Sequence, residues 1–156
     1  MEKYNNIDEV LNFAIEQEQS EVDFYDELAD KMSKPKVEQL FRDIALEKQN
    51  HILKLEAIRI SGNFDHNSFD QIKELKTEHY IADVDYSNED PDYHDALIMA
   101  MEKEKATFMF YWDLAERVSS PDLQDLFYML ALHEAKQKVK MEIQFDRECQ
   151  EEIDDD

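Results

Sequence analysis

The stretch AIEQEQSEVDFYDELADKMSKPKVEQLF, residues 14–41, returns as AMEKEKATFMFYWDLAERVSSPDLQDLF at residues 100–127. The repeat runs without a gap over residues 8–56 and 94–142 at a constant offset of 86, and 16 of the 49 aligned positions are identical. Among these are Glu18/Glu104, Phe24/Phe110, Tyr25/Tyr111, Leu28/Leu114, Ala29/Ala115, Pro35/Pro121 and Phe41/Phe127. Each copy reads as two amphipathic helices, with apolar residues at alternating steps of three and four. The first helix presents Ile7, Leu11, Ala14, Tyr25, Leu28 and Met32; the second presents Val37, Phe41, Ile44, Leu55 and Ile58. The third presents Tyr93, Leu97, Ala100, Tyr111, Leu114 and Val118; the fourth presents Leu123, Phe127, Leu130 and Met141. The spacing predicts roughly six or seven turns for each.

Connections set the topology. Ser33-Lys34-Pro35 and Ser119-Ser120-Pro121 are short, and each places a proline where a helix starts. Short links make antiparallel neighbours, so helices one and two form one hairpin and helices three and four another. Residues 61–91, with Gly62, Pro91 and several Asn and Asp, are long enough to cross the whole bundle, and Phe69, Ile72 and Leu75 point to a short helix within them. The expected architecture is an all-α four-helix bundle, two hairpins joined by one crossover, over residues 1–150. Residues 151–156 are expected to form an acidic tail.

Composition agrees. One Gly and three Pro in 156 residues disfavour a sheet with many tight turns. A net charge of −22 argues against nucleic acid and anionic membranes as partners, and is compatible with metal cations or a basic protein. Cys149 is the only cysteine, so the chain can build neither an internal disulfide nor a four-cysteine metal module. A basic-then-apolar leader and an 18-residue apolar run are both missing from the sequence, and a cytoplasmic protein is expected.

The seam between the helices is interrupted by polar residues: Glu18, Lys48, His51, Glu104, Glu134 and Gln137, with Glu21 and Thr107 at the edge. Each lies near the middle of its helix, so antiparallel packing brings them to one level. Buried carboxylates together repel and cost several kcal/mol, so something must compensate them. A divalent cation is one candidate; Lys48 with hydrogen bonds and a protonated carboxyl is the other. Elsewhere, Phe108, Met109, Phe110, Tyr111 and Trp112 form an unbroken apolar run that must point all round its helix. That predicts a dimer interface or packing under the crossover. Met99, Met101, Met129 and Met141 read as core, His66, His79 and His94 show no ligand spacing, and Cys149 reads as inert.

These stretches resemble the rubrerythrin branch of the ferritin-like superfamily over nearly the whole chain. The likeness lies in Ala14-Ile15-Glu16-Gln17-Glu18 with Phe24-Tyr25 and Leu28-Ala29, in residues Asp95–Ala106, and in residues Met141–Asp146. The resemblance implies two irons held by a Glu from each of two helices and an E-x-x-H pair on each of the other two. It would make Glu18 and Glu104 the lone ligands. His51 matches one ligand histidine, but Lys48 stands where its glutamate belongs; Glu134 matches the other glutamate, but Gln137 stands where its histidine belongs. Glu47 lies one turn before His51, and His133 is turned about 100° away from Glu134 around the helix.

The metal set expected from the resemblance is therefore Glu18, His51, Glu104 and Glu134. A mononuclear site would use Glu18, His51 and Glu134, with Glu104 either a fourth ligand or the partner of Lys48. Iron is the implied ion, one or two per chain, with manganese or zinc also suited to two carboxylates and an imidazole. The implied chemistry is non-haem iron redox with peroxide or dioxygen, needing an external electron donor. The rival expectation is a metal-free bundle acting as an interaction or structural module.

Overall fold

The computed structural model describes residues 7–62 and 91–154. The described residues contain four helices: α1 (Ile7–Lys31), α2 (Pro35–Ser61), α3 (Tyr93–Arg117) and α4 (Pro121–Asp154). The chief packing is α1 on α2 and α3 on α4, the two hairpins that the short links require. The sequence has the fold of an all-α four-helix bundle. The expected short helix at Phe69, Ile72 and Leu75, together with His66 and His79, lies outside the described residues.

Local chemistry accounts for the helix boundaries. Pro35 opens α2 at a position where its missing N–H costs nothing. Gly62 closes α2 with φ 59°, a left-handed conformation that glycine adopts without strain, and its N–H returns to the Ile58 carbonyl. Asp92 caps α3 by accepting from the Asp95 N–H at 2.8 Å.

The fourth helix exceeds its expected six or seven turns. It has 34 residues, about nine turns, and is helical to Asp154, past the point where an acidic tail was expected to begin. Its later part is held by polar contacts. Glu148, 1% exposed, receives the Lys34 ammonium at 2.6 Å and the Gln144 amide at 2.7 Å. Further on, the Tyr93 hydroxyl donates to Glu152.

The apolar core falls into two clusters. One joins Leu11, Ala14, Leu55, Tyr111, Leu114, Leu123, Phe127 and Leu130; the other joins Tyr25, Leu28, Val37, Phe41, Ile44, Leu97, Ala100 and Met141. They mirror each other through the repeat: Tyr25, Leu28 and Phe41 on one side answer Tyr111, Leu114 and Phe127 on the other. Of the methionines read as core, only Met141 is fully buried, while Met99, Met101 and Met129 are half-buried. A complete polar layer separates the two clusters.

Candidate metal centre

Eight residues make this layer. Glu18 and Glu21 come from α1, Lys48 and His51 from α2, Glu104 and Thr107 from α3, Glu134 and Gln137 from α4. Glu18, Lys48, His51, Glu104 and Glu134 are 0% exposed, and Glu21 and Gln137 only 3% and 4%. A cluster of four buried carboxylates, one ammonium and one imidazole must be satisfied internally, because each uncompensated charge would cost several kcal/mol.

The helices supply the partners crosswise. The Tyr25 hydroxyl donates to Glu104 Oε1 at 2.5 Å, and the Tyr111 hydroxyl donates to Glu18 Oε1 at 2.6 Å. Each tyrosine stands seven residues after the glutamate of its own copy but serves the glutamate of the other. Thr107 donates to Glu21 Oε1 at 2.5 Å. Burial raises the pKa of both phenols, and the facing carboxylates, Glu104 for Tyr25 and Glu18 for Tyr111, raise it further. Both tyrosines therefore remain donors.

Lys48 occupies one half of the layer. Its Nζ lies 3.0 Å from Glu104 Oε2, 3.0 Å from Glu21 Oε2, and in a short contact with Glu134 Oε2. Burial alone would lower its pKa, but Glu104, Glu134, Glu21 and Glu18 together hold it well above the ordinary lysine value. Burial and the neighbouring Glu134 raise Glu104 well above the carboxylate range, against the pull of Lys48. Burial also raises Glu21, to about 7, again against Lys48. Whichever carboxyl carries a proton, the ammonium keeps an anionic neighbour and stays charged. Glu21, Glu104 and Glu134 converge closely enough to hold a cation, and Lys48 lies at all three.

The other half is different. His51 Nδ1 stands 3.4 Å from Glu18 Oε2 and 3.4 Å from Glu134 Oε1. All three atoms are buried and lack a hydrogen-bond partner. Buried polar atoms without partners are rare, and three aimed at one point make a group that could hold a cation. Two carboxylate oxygens and an imidazole nitrogen fit a divalent transition ion. A proton on His51 is the alternative occupant. Burial opposes that proton, but Glu134 and Glu18 outweigh burial and raise the imidazole to about 9.

Of the residues expected from the sequence, Glu18, His51 and Glu134 thus meet at one point, while Glu104 is turned to Lys48 and Tyr25. Two others were undervalued. Glu21 belongs inside the layer, facing Lys48. His133, expected to point away, has its Nδ1 3.0 Å from His51 Nε2 and 3.3 Å from Glu47 Oε1. Burial lowers the His133 pKa, and the charge of His51 lowers it further, so His133 is held neutral. The available signal was the offset itself: Glu21–Thr107, Glu47–His133 and Lys48–Glu134 are repeat mates, and each pair is in contact.

Comparison with known proteins identifies one match. The family described as Rubrerythrin matches residues 9–138, which contain all eight residues of the layer. None of the curated proteins and none of the solved structures compared with the chain matches it.

Proposed function

The chain belongs to the rubrerythrin family, and from that premise we propose that it is a ferritin-like metal-binding protein that holds one divalent cation per chain. Glu18, His51 and Glu134 are its ligands, and the Lys48 ammonium replaces the second cation. One observation carries the reading: Glu18 Oε2, His51 Nδ1 and Glu134 Oε1 are buried, convergent and without hydrogen-bond partners.

The family chemistry favours iron(II), and the same donors suit manganese or zinc. When bound, iron would supply one-electron redox chemistry toward peroxide or dioxygen. The residues do the rest. Tyr111 fixes Glu18 by holding its second oxygen, as partners of a ligating carboxylate do. Lys48 neutralises the Glu104 side of the layer. It also leaves no seat for a second ion, so two-metal peroxide reduction is not expected. With Cys149 as the only cysteine, any redox turnover needs an external electron donor.

A metal-free bundle remains the second reading, because His51, with its pKa raised to about 9, can serve Glu18 and Glu134 as an imidazolium. Elemental analysis after anaerobic reconstitution with iron(II) separates the two. One ion per chain is expected, and its loss in Glu18→Gln; an ion-free wild type would leave the structural-module reading.

Two further assignments belong here. Met109 and Trp112 are 45% and 38% exposed; Met109, with Phe108 and Val139, lines part of an open pocket of about 400 Å³, and Trp112 lies against Phe108. That face is our proposed homodimer contact, to be checked by sedimentation. No helix among the described residues is long and apolar enough to cross a membrane; a cytoplasmic location is the proposal.

A further inference from the structure

His51 has two ring nitrogens, and the inner site uses only Nδ1. Its Nε2 points outward to a second convergence, made with His133 and Glu47. The three donor atoms form a triangle: His51 Nε2 to His133 Nδ1 is 3.0 Å, His133 Nδ1 to Glu47 Oε1 is 3.3 Å, and His51 Nε2 to Glu47 Oε1 is 3.8 Å. A point about 2.0 Å from all three lies within it, which is the length of a zinc–nitrogen or zinc–oxygen bond. The two imidazoles have an interplanar angle of 20° and centroids 5.2 Å apart, and their facing nitrogens are hydrogen-bonded to each other, a bond that an ion taking both nitrogens would replace. Unlike the inner site, this one reaches solvent: the His133 and Glu47 side chains are 24% and 34% exposed, while His51 is 0% exposed.

We propose that Glu47, His51 and His133 form a second, outer site for a divalent transition ion that prefers imidazole, such as copper(II) or zinc, with water completing its coordination. Two nitrogens and one oxygen give it a softer donor set than the inner site, which has one nitrogen and two oxygens. The outer site therefore selects ions from the copper and zinc end of the first row. The shared ring couples the two sites. A neutral imidazole has one free lone pair. An outer ion taking Nε2 leaves the proton on Nδ1, facing Glu18 and Glu134; an inner ion taking Nδ1 leaves it on Nε2, facing His133 and Glu47. The ions thus compete for His51, a consequence that rests on the inner-site reading, whereas the outer site itself does not.

The test uses copper(II) and the full-length chain. Glu18→Gln weakens the inner site and leaves every outer ligand in place. This variant should bind one copper ion per chain, with two imidazole nitrogens visible in its electron paramagnetic resonance spectrum. Adding His133→Ala should lower copper affinity at least tenfold, since altering even an outer partner of a metal ligand costs 10–100-fold, and should remove one nitrogen from the spectrum. Far-ultraviolet circular dichroism confirms that both variants are folded. An unchanged affinity and nitrogen count on adding His133→Ala would overturn the proposal, as would a folded Glu18→Gln that binds no copper. Iron(II) binding to the single His133→Ala variant separates the readings: retention supports an independent inner site, and loss would sink the inner-site reading while leaving the copper result to stand alone.

Discussion

The Lys48→Glu variant tests the central claim, that an ammonium stands in for a metal ion. Lys48 is fully buried and meets Glu21, Glu104 and Glu134 at once. Removing one partner of a buried ion pair costs about 3–5 kcal/mol, and the new side chain also adds a fifth carboxylate to the four already there. Set against a total stability of about 5–15 kcal/mol, that is a large fraction. For a domain of this size each kcal/mol moves the melting temperature by about 2–4 °C. The metal-free variant should therefore melt on the order of 10 °C below the metal-free wild type. Divalent cations should reverse the loss. With one divalent ion bound, the wild type would set four carboxylates against that ion and one ammonium, leaving one negative charge; with two bound, the variant would set five carboxylates against them and leave the same charge. Elemental analysis after anaerobic iron(II) reconstitution should thus rise from one ion per chain to two, and calorimetry should show the melting temperature recovering with the second ion. Lys48→Met is the control, losing the same pairing without gaining a ligand or a second ion. The reasoning fails if metal-free Lys48→Glu is as stable as the wild type. It fails equally if the folded variant takes up no more metal than the wild type.

Further expectations come from the same layer. Tyr111→Phe removes the hydroxyl that holds Glu18, so iron(II) affinity should drop about 10–100-fold by titration. Tyr25→Phe removes the equivalent bond to Glu104 and should leave iron affinity within about threefold, since Glu104 faces Lys48; equal losses in the two variants would contradict the asymmetry. In chelator, urea midpoints should fall as pH rises. Glu21 binds its proton more tightly when folded, at about 7 against 4.5, so its contribution is lost between those values; His51 is raised from 6.5 to about 9, so its contribution is complete below 6.5 and lost through 9. Each loss is on the order of 3 kcal/mol, and a midpoint that rises from pH 5 to pH 9 would refute the assignment. Phe127→Ala, at a site 1% exposed, should cost about 3–5 kcal/mol whether or not metal is present.

The helix hairpins were legible because amphipathic spacing and two proline starts are local signals, and packing did not override them. The extra turns of α4 were not. They rest on polar contacts to distant residues, such as Lys34 to Glu148, which leave no apolar period. The members of the polar layer could be read as polar positions in an apolar seam, but their pairing depends on where the approximate two-fold axis of the repeat passes. Near that axis a residue meets its own repeat mate. Identical acids there would stand against each other and need a cation between them. The near-axis pairs in this chain are unlike and complementary: Glu21 with Thr107, Glu47 with His133, and Lys48 with Glu134. Away from the axis a residue meets the mate of a different position, so identity is harmless. Tyr25 serves Glu104 while Tyr111 serves Glu18, and both pairs remain identical. The departures from the family pattern thus differ in kind. Lys48 against Glu134 removes the need for an ion on one side of the layer, whereas Gln137 in place of a second histidine only takes a ligand away. Among the described residues three of the four buried unpartnered atoms accordingly gather at His51, on the side where an imidazole remains, while the fourth, Glu21 Oε2, lies beside the Lys48 ammonium.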